Sequence, residues 1–295
     1  MSGKIKIGLA LLLLVELFYF SIFILGDLDF QLLNPRGSIA LQQRDLGMMV
    51  IGLLLIVAIP LLGTMYWFAY KYRAGNKKPV YKPDARHSTF TELVWWIIPA
   101  VFIFILAVIT WNKTHALDPY KPLASDVAPV RIQAVALNWK WLFLYPDYNI
   151  ATVNFIQFPE DTPVNFELTA DAPMNSFWIP ALSGQIYAMS GMSTKIHIIA
   201  DSVGDYRGQA GEINGRGFSG MKFIARASSK EDFEKWIGEV RRSSSSLDGS
   251  HYSALSKPSE NNPVTLYSSY EQHLYNKIMM KYMAPSGSAQ KMQEM

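Results

Sequence analysis

Cysteine is absent from the 295 residues. Disulfides, thiolate-bound zinc or copper, iron–sulfur clusters, cysteine nucleophiles and thioether-linked lipid anchors are thereby excluded together. The redox compartment stays open, since a chain without thiols suits either environment. Charge is scarce too: Asp, Glu, Lys and Arg make up 17% of the chain, against roughly 25% in soluble proteins. Half of the residues are hydrophobic and 13% are aromatic, which argues against a disordered chain or an ordinary soluble globule and points to membrane spans. The few histidines offer no metal cluster, because His87, His115, His197, His251 and His273 nowhere pair at ligand spacing.

The net charge of +3 is unevenly distributed. Residues 71–86 carry Lys71, Arg73, Lys77, Lys78, Lys82 and Arg86 against Asp84 alone, six minus one, whereas residues 112–295 hold 17 basic and 18 acidic side chains. One short loop holds the excess, so no broad basic face for nucleic acid is implied. That loop lies between two uncharged runs, residues 46–70 and 93–111. At ~1.5 Å per residue they reach roughly 37 Å and roughly 28 Å, enough to cross a ~30 Å hydrocarbon core. Tyr66, Trp67, Tyr70, Trp95, Trp96 and Trp111 crowd their ends, at the level that amphipathic rings favour, and Pro60 and Pro99 are expected to kink them. The positive-inside rule places the loop 71–92 in the cytoplasm, so residues 27–45 and everything after 111 are exported. Residues 1–26, with Lys4 and Lys6 ahead of an apolar stretch broken only by Glu16, read as a signal sequence or an uncleaved signal anchor.

Beyond the spans the pattern changes period. Residues 130–145, 152–158, 164–169, 195–200 and 222–227 read as short strands separated by Pro, Gly, Asp and Asn, which predicts a small β-sandwich or barrel. A helix is expected from 229 or 230 to 242, with acids in its first turn and arginines in its last, then a serine-rich linker, a second helix over 267–283 and a frayed tail from 284. The run Gly215-Arg216-Gly217-Phe218-Ser219-Gly220 fits G-x-G-x-x-G, but no helix opens behind it, so no nucleotide site is assigned.

Residues 208–221, GQAGEINGRGFSGM, resemble the copper loop of subunit II of the haem–copper oxidases. There the pattern G-Q-C-x-E-I-C-x-x-x-H-x-x-M holds a dinuclear copper centre through its two Cys, its His and its Met. Here Ala210 and Asn214 stand at the cysteine places and Phe218 at the histidine place, while Glu212 and Met221 remain. Asn175 occupies the place of the other copper histidine. A thioether alone does not hold copper. This is the pattern of the quinol-oxidising branch. NPRGSIALQQR, WFAYKYRAGNK, TWNKTHALDPYKPLA, NWKWLFLYPD and FSGMKF, in that order between about residues 32 and 283, are similar to subunit II of the bo3-type (cytochrome o) ubiquinol oxidases. Where several relatives carry a lipidated cysteine, Asp27 follows Leu25-Gly26.

The resemblance implies a membrane α-helical hairpin over residues 46–111 followed by a cupredoxin-like all-β domain over 112–228 that lacks the dinuclear copper site, with C-terminal helices and a tail over 229–295. It implies a subunit of a proton-translocating ubiquinol oxidase in the bacterial inner membrane, its large domain in the periplasm. The partners it implies are subunit I, which carries the haems and copper, subunits III and IV, membrane lipid and ubiquinol, with no cytochrome c. The chain itself would bind no cofactor or metal. A metal-free cupredoxin-like membrane scaffold or assembly factor is the alternative.

Four further positions acquire roles from the same resemblance. Glu92, in an E-x-x-W-x-x-P-like stretch whose proline is one residue late, would mark the entrance of a proton-uptake path. Thr89-x-x-Glu92 also fits a capping box, in which Glu92 would bond back to the cap. Trp139 and Trp141 alternate with Lys140, so they are expected on one strand face with Phe143 and Tyr145, either as a core ladder or at the quinol-side boundary with the large subunit. Glu212 would be a solvated acid or the remnant of a magnesium site.

Overall fold

The computed structural model describes Glu16, residues 31–76 and residues 88–283. Residues 1–15 and 17–30, residues 77–87 of the basic loop with His87, and the tail from 284 lie outside the described residues. The chain divides into a helical unit, Gln42–Pro122, and a second unit comprising Met1–Leu41 and Leu123–Met295.

In the helical unit, α1 (Ser38–Lys71) and α2 (Thr89–Ala116) run unbroken through Pro60 and Pro99. Their 34 and 28 residues give lengths of roughly 51 Å and roughly 42 Å. α1 starts eight residues ahead of its apolar run, because hydropathy marks only the part suited to hydrocarbon. The polar first turns continue the same backbone pattern, with Arg44 paired to Asp45 at 2.8 Å. At the other end, Lys71 Nζ lies 4.3 Å from the Trp67 ring and Arg73 Cζ 4.1 Å from the Tyr70 ring. Cations held over aromatic rings at a helix end suit a headgroup layer. No side chain of α2 is buried within the chain, and of α1 only Ala40 is. Such all-round apolar helices need lipid or neighbouring helices around them.

The α2 cap corrects one expectation. Ser88, not Thr89, is the cap: its Oγ accepts from Thr91 N at 3.4 Å and from Thr91 Oγ1 at 3.0 Å. The third helical position is therefore Thr91, and Glu92 stands one residue too far along to close a capping box.

The second unit is a two-sheet sandwich. Its strands are β1 (Val130–Leu137), β2 (Lys140–Tyr145), β3 (Ile150–Val153), β4 (Phe155–Pro159), β5 (Val164–Ala170), β6 (Asn175–Trp178), β7 (Ile186–Ala188), β8 (Thr194–Ile198), β9 (Gly204–Ala210), β10 (Lys222–Ser228) and β11 (Thr265–Tyr267). One sheet runs β11-β3-β2-β1-β5-β8 and the other β4-β10-β9-β6-β7. The expected strand over 130–145 is a hairpin, Leu137 pairing with Lys140 across Asn138 and Trp139, the latter at φ +64°. Asn138, a turn residue, was the break in the alternation. The stretch 152–158 is divided as well: Asn154, at φ +56°, passes the chain from β3 to β4 in the opposite sheet.

Trp141, Phe143 and Tyr145 face the main core between the sheets, while Leu142 and Leu144 face a second core on the outer side. The C-terminal segment builds that second core. After α3 (Lys230–Arg241), capped by Ser229, come α4 (Gly249–Leu255), β11 paired to β3, and α5 (Leu274–Met280). Leu247, Tyr267, Leu274, Tyr275 and Ile278 cover Val135, Leu137, Leu142 and Leu144. Of the single helix expected over 267–283, Leu274–Met280 is helical, while Tyr267 ends β11 in its pairing with Ala151 and a turn joins the two.

Residues 36–40, which belong to the same unit as the sandwich, are bonded to it. Arg36 N donates to Ala181 O at 2.7 Å, Ala40 N to Leu182 O at 3.2 Å, and Asp201 N to Arg36 O at 2.9 Å. Gly37 permits this approach, since a Cβ there would lie 2.4 Å from Ile199 O.

Candidate functional site

The loop between β9 and β10 closes on β6 through backbone bonds. Ala210 N donates to Met221 O at 3.1 Å and Gly211 N to Ser176 O at 2.8 Å. These bonds gather the positions singled out from the sequence. Asn175 Nδ2 donates to Met221 Sδ at 3.1 Å and Asn214 Nδ2 to the same sulfur at 3.6 Å. Asn175 is fully buried, and its amide is oriented by Ser176 N donating to Oδ1 at 2.8 Å. Ala210 and Met221 are buried beside them. Phe218 sits on a 3-10 turn (Phe218–Gly220) with its ring against the main core. Glu212 stays half-exposed on the loop.

This donor set does not fit copper. A methyl and a phenyl ring have no lone pair to offer, and the amide nitrogens of Asn175 and Asn214 are N–H donors. The one soft ligand atom, Met221 Sδ, already accepts from both. Among the described residues, no three His, Cys, Asp or Glu side chains converge as metal ligands, so Glu212 belongs to no such group. Asn214 Oδ1 is buried without a hydrogen-bond partner, as are Ser176 Oγ and Trp141 Nε1.

The two tryptophans diverge. Trp139, turned out of the strand by its left-handed backbone, lies under the loop: Nε1 donates to Asn214 O at 3.3 Å. A Cβ on Gly217 would lie 2.5 Å from its ring. Trp141 is wholly buried, with centroids of Phe177 at 5.4 Å, Phe223 at 5.9 Å and Phe143 at 6.4 Å. Only Trp141 therefore shares the face of Phe143 and Tyr145 that the alternation assigned to both.

Two buried charges escaped the sequence reading. Lys140 is 1% exposed, its ammonium donating to Leu255 O and Lys257 O at 2.8 Å each and to Ser259 Oγ; burial lowers its pKa. Asp171 accepts from Tyr252 Oη at 2.6 Å, from Lys281 Nζ at 2.7 Å and from Tyr282 Oη. A lysine alternating with tryptophans reads as solvent-facing, and nothing local announces the segment that covers it. Among the described residues, His197 and His251 are engaged away from the loop: His197 Nδ1 meets Asn165 Oδ1 at 2.6 Å, and His251 Nδ1 meets Asp248 Oδ1 at 2.9 Å.

Residues 148–228 match the family described as cytochrome c oxidase subunit II, periplasmic domain, and residues 241–286 match the COX aromatic rich motif. The chain is 51% identical over 264 residues to cytochrome bo(3) ubiquinol oxidase subunit 2 of Pseudomonas putida, covering 90% of this chain and 84% of that one. It is 41% identical over 264 residues to ubiquinol oxidase subunit 2 of Acetobacter aceti, covering 89% and 86%. The crystal structure of the periplasmic domain of cytochrome oxidase subunit II from Bradyrhizobium japonicum aligns at a TM-score of 0.37 and 20% identity, over 40% of this chain and 94% of that one. Two long apolar helices, a cupredoxin-like sandwich, and half of all residues shared along nine-tenths of the length lead to one conclusion: the chain belongs to the family of subunit 2 of the cytochrome bo(3) ubiquinol oxidases, a subunit of a haem–copper oxidoreductase.

Proposed function

We propose that this chain is the metal-free structural subunit of a complex that oxidises ubiquinol, reduces O₂ to water and pumps protons, with the haems and copper carried by the large partner subunit. The observation that carries this reading is the engagement of Met221 Sδ by two amide donors at the place of a copper centre. Quinol delivers its electrons from within the bilayer, so a water-facing copper relay is unnecessary. The helical unit anchors the chain in the bacterial inner membrane, and the sandwich stands in the periplasm. In the purified complex, electron paramagnetic resonance should lack a mixed-valence dinuclear copper signal, and turnover should occur with ubiquinol but not with reduced cytochrome c. That copper signal, or oxidation of cytochrome c, overturns the reading.

Two side chains take functional roles in this proposal. Glu92 collects protons at the cytoplasmic mouth of α2, a role favoured by the assignment of the cap to Ser88. Glu92→Gln keeps the shape and removes the titratable charge. Turnover is expected to fall about tenfold with assembly intact, and an unchanged O₂-reduction rate across pH would remove the role. Trp139 shapes the loop at the boundary with the large subunit. Trp139→Phe keeps a ring but loses the bond to Asn214 O, worth about 1 kcal/mol. A modest loss of complex yield or quinol turnover is expected, and no change in either would count against the assignment.

A further inference from the structure

The loop 211–220 contains Gly211, Gly215, Gly217 and Gly220, so it carries a large conformational entropy that something must offset. At its centre Met221 accepts two N–H···S contacts, and sulfur is a weak acceptor. Besides the backbone bonds within the loop and to Ser176, and the support from Trp139, further contacts come from the turn 255–262 of the C-terminal segment. Arg216 Nε donates to Glu260 Oε1 at 2.6 Å. A Cβ on Gly217 would lie 2.8 Å from Glu260 Cγ, and one on Gly220 would lie 2.5 Å from Asn261 Oδ1, so these glycines let the two segments touch.

The turn is itself stiff and anchored. Pro258 and Pro263 flank its core. Ser259 Oγ donates to Asn262 Oδ1 at 2.9 Å, and Asn262 Nδ2 donates to Ser259 O at 2.8 Å. Lys140 then grips it from β2 through Leu255 O, Lys257 O and Ser259 Oγ, with all three ammonium protons used. Asn154 grips it from the sheet crossover, Nδ2 donating to Asn262 O at 2.9 Å while Oδ1 accepts from Trp141 N at 2.9 Å. Trp139, one residue before Lys140, is the surface on which the loop rests.

From these contacts we infer that the turn 255–262, secured by Lys140 and Asn154, is an intramolecular clamp that holds the former copper loop in shape in place of a metal ion. A metal fixes a loop by drawing several of its side chains to one point. The clamp fixes it from outside, with an ion pair and close packing against a turn that is itself bonded to β2. This assigns a task to part of the aromatic-rich segment 241–286. It rests on the metal-free reading of the site, and that reading has its own test in the copper signal.

Hydrogen exchange of the whole purified complex tests the clamp. Lys140→Met preserves length and apolar volume but removes the ammonium from its three acceptors. Amides of residues 211–221 are expected to exchange about tenfold faster, with β5 and β8 unchanged. Faster exchange in 255–262 with no change in 211–221 overturns the clamp. Should Lys140→Met fail to assemble, Glu260→Gln combined with Asn262→Ala removes the charge partner of Arg216 and the turn's own bonds to Ser259. About threefold faster exchange in 211–221 is then expected, and none overturns the proposal. Unchanged exchange with no copper signal removes the clamp alone, whereas a copper signal in the unaltered complex removes the reading beneath it.

Discussion

Asp171→Ala is expected to loosen the C-terminal segment and to cost on the order of 3 kcal/mol. The carboxylate follows β5, is 2% exposed on its side chain, and is the common acceptor for Tyr252, Lys281 and Tyr282. Alanine leaves three donors without an acceptor. Lys281 can turn to water because its side chain is 58% exposed, but Tyr252 is held deeper. Hydrogen exchange across 247–283 and cleavage by trypsin after Lys277 or Lys281 should both accelerate, and unchanged rates would show that α5 docks by apolar contact alone. The pH dependence has a definite sign. Burial opposes the charge on Asp171, but the bonds from Lys281, Tyr252 and Tyr282 outweigh it and hold the carboxyl below its ordinary value. A group depressed in this way contributes fully above the ordinary carboxylate pKa of about 3.9, and its contribution is lost as pH falls through the lower folded value. The wild-type segment should therefore loosen only in acid, and Asp171→Asn should abolish that dependence.

Trp141→Ala is expected to cost about 3–5 kcal/mol, the largest effect of any single change in the sandwich. The indole sits at the middle of Phe143, Phe177 and Phe223, whose own rings meet at 5.1–6.3 Å, and these side chains join both sheets. Close-packed aromatics cannot collapse into a cavity of that size without leaving their offset contacts. The loss should fall on the stability of the folded sandwich and thus on the yield of assembled complex. Turnover per assembled complex should stay near normal, because Trp141 is sealed from any partner surface. A selective loss of turnover with undiminished stability would return Trp141 to the interface role.

The sequence by itself determined the two long apolar helices and the change to strands after them. Each depends on residue identity at local spacing: uncharged runs of membrane length and period-two alternation. The hairpin at Asn138-Trp139 was within reach, since Asn favours turns, but the β-rich alternation on both sides masked it. Tertiary structure alone decided the rest. Lys140 is buried because residues more than a hundred positions later cover the outer face of β2, and no local pattern encodes that layer. Asp171 became a shared acceptor for the same reason. The energies of buried charges and left-handed turns are set by what packs over them, and those partners are close in space while remote in sequence.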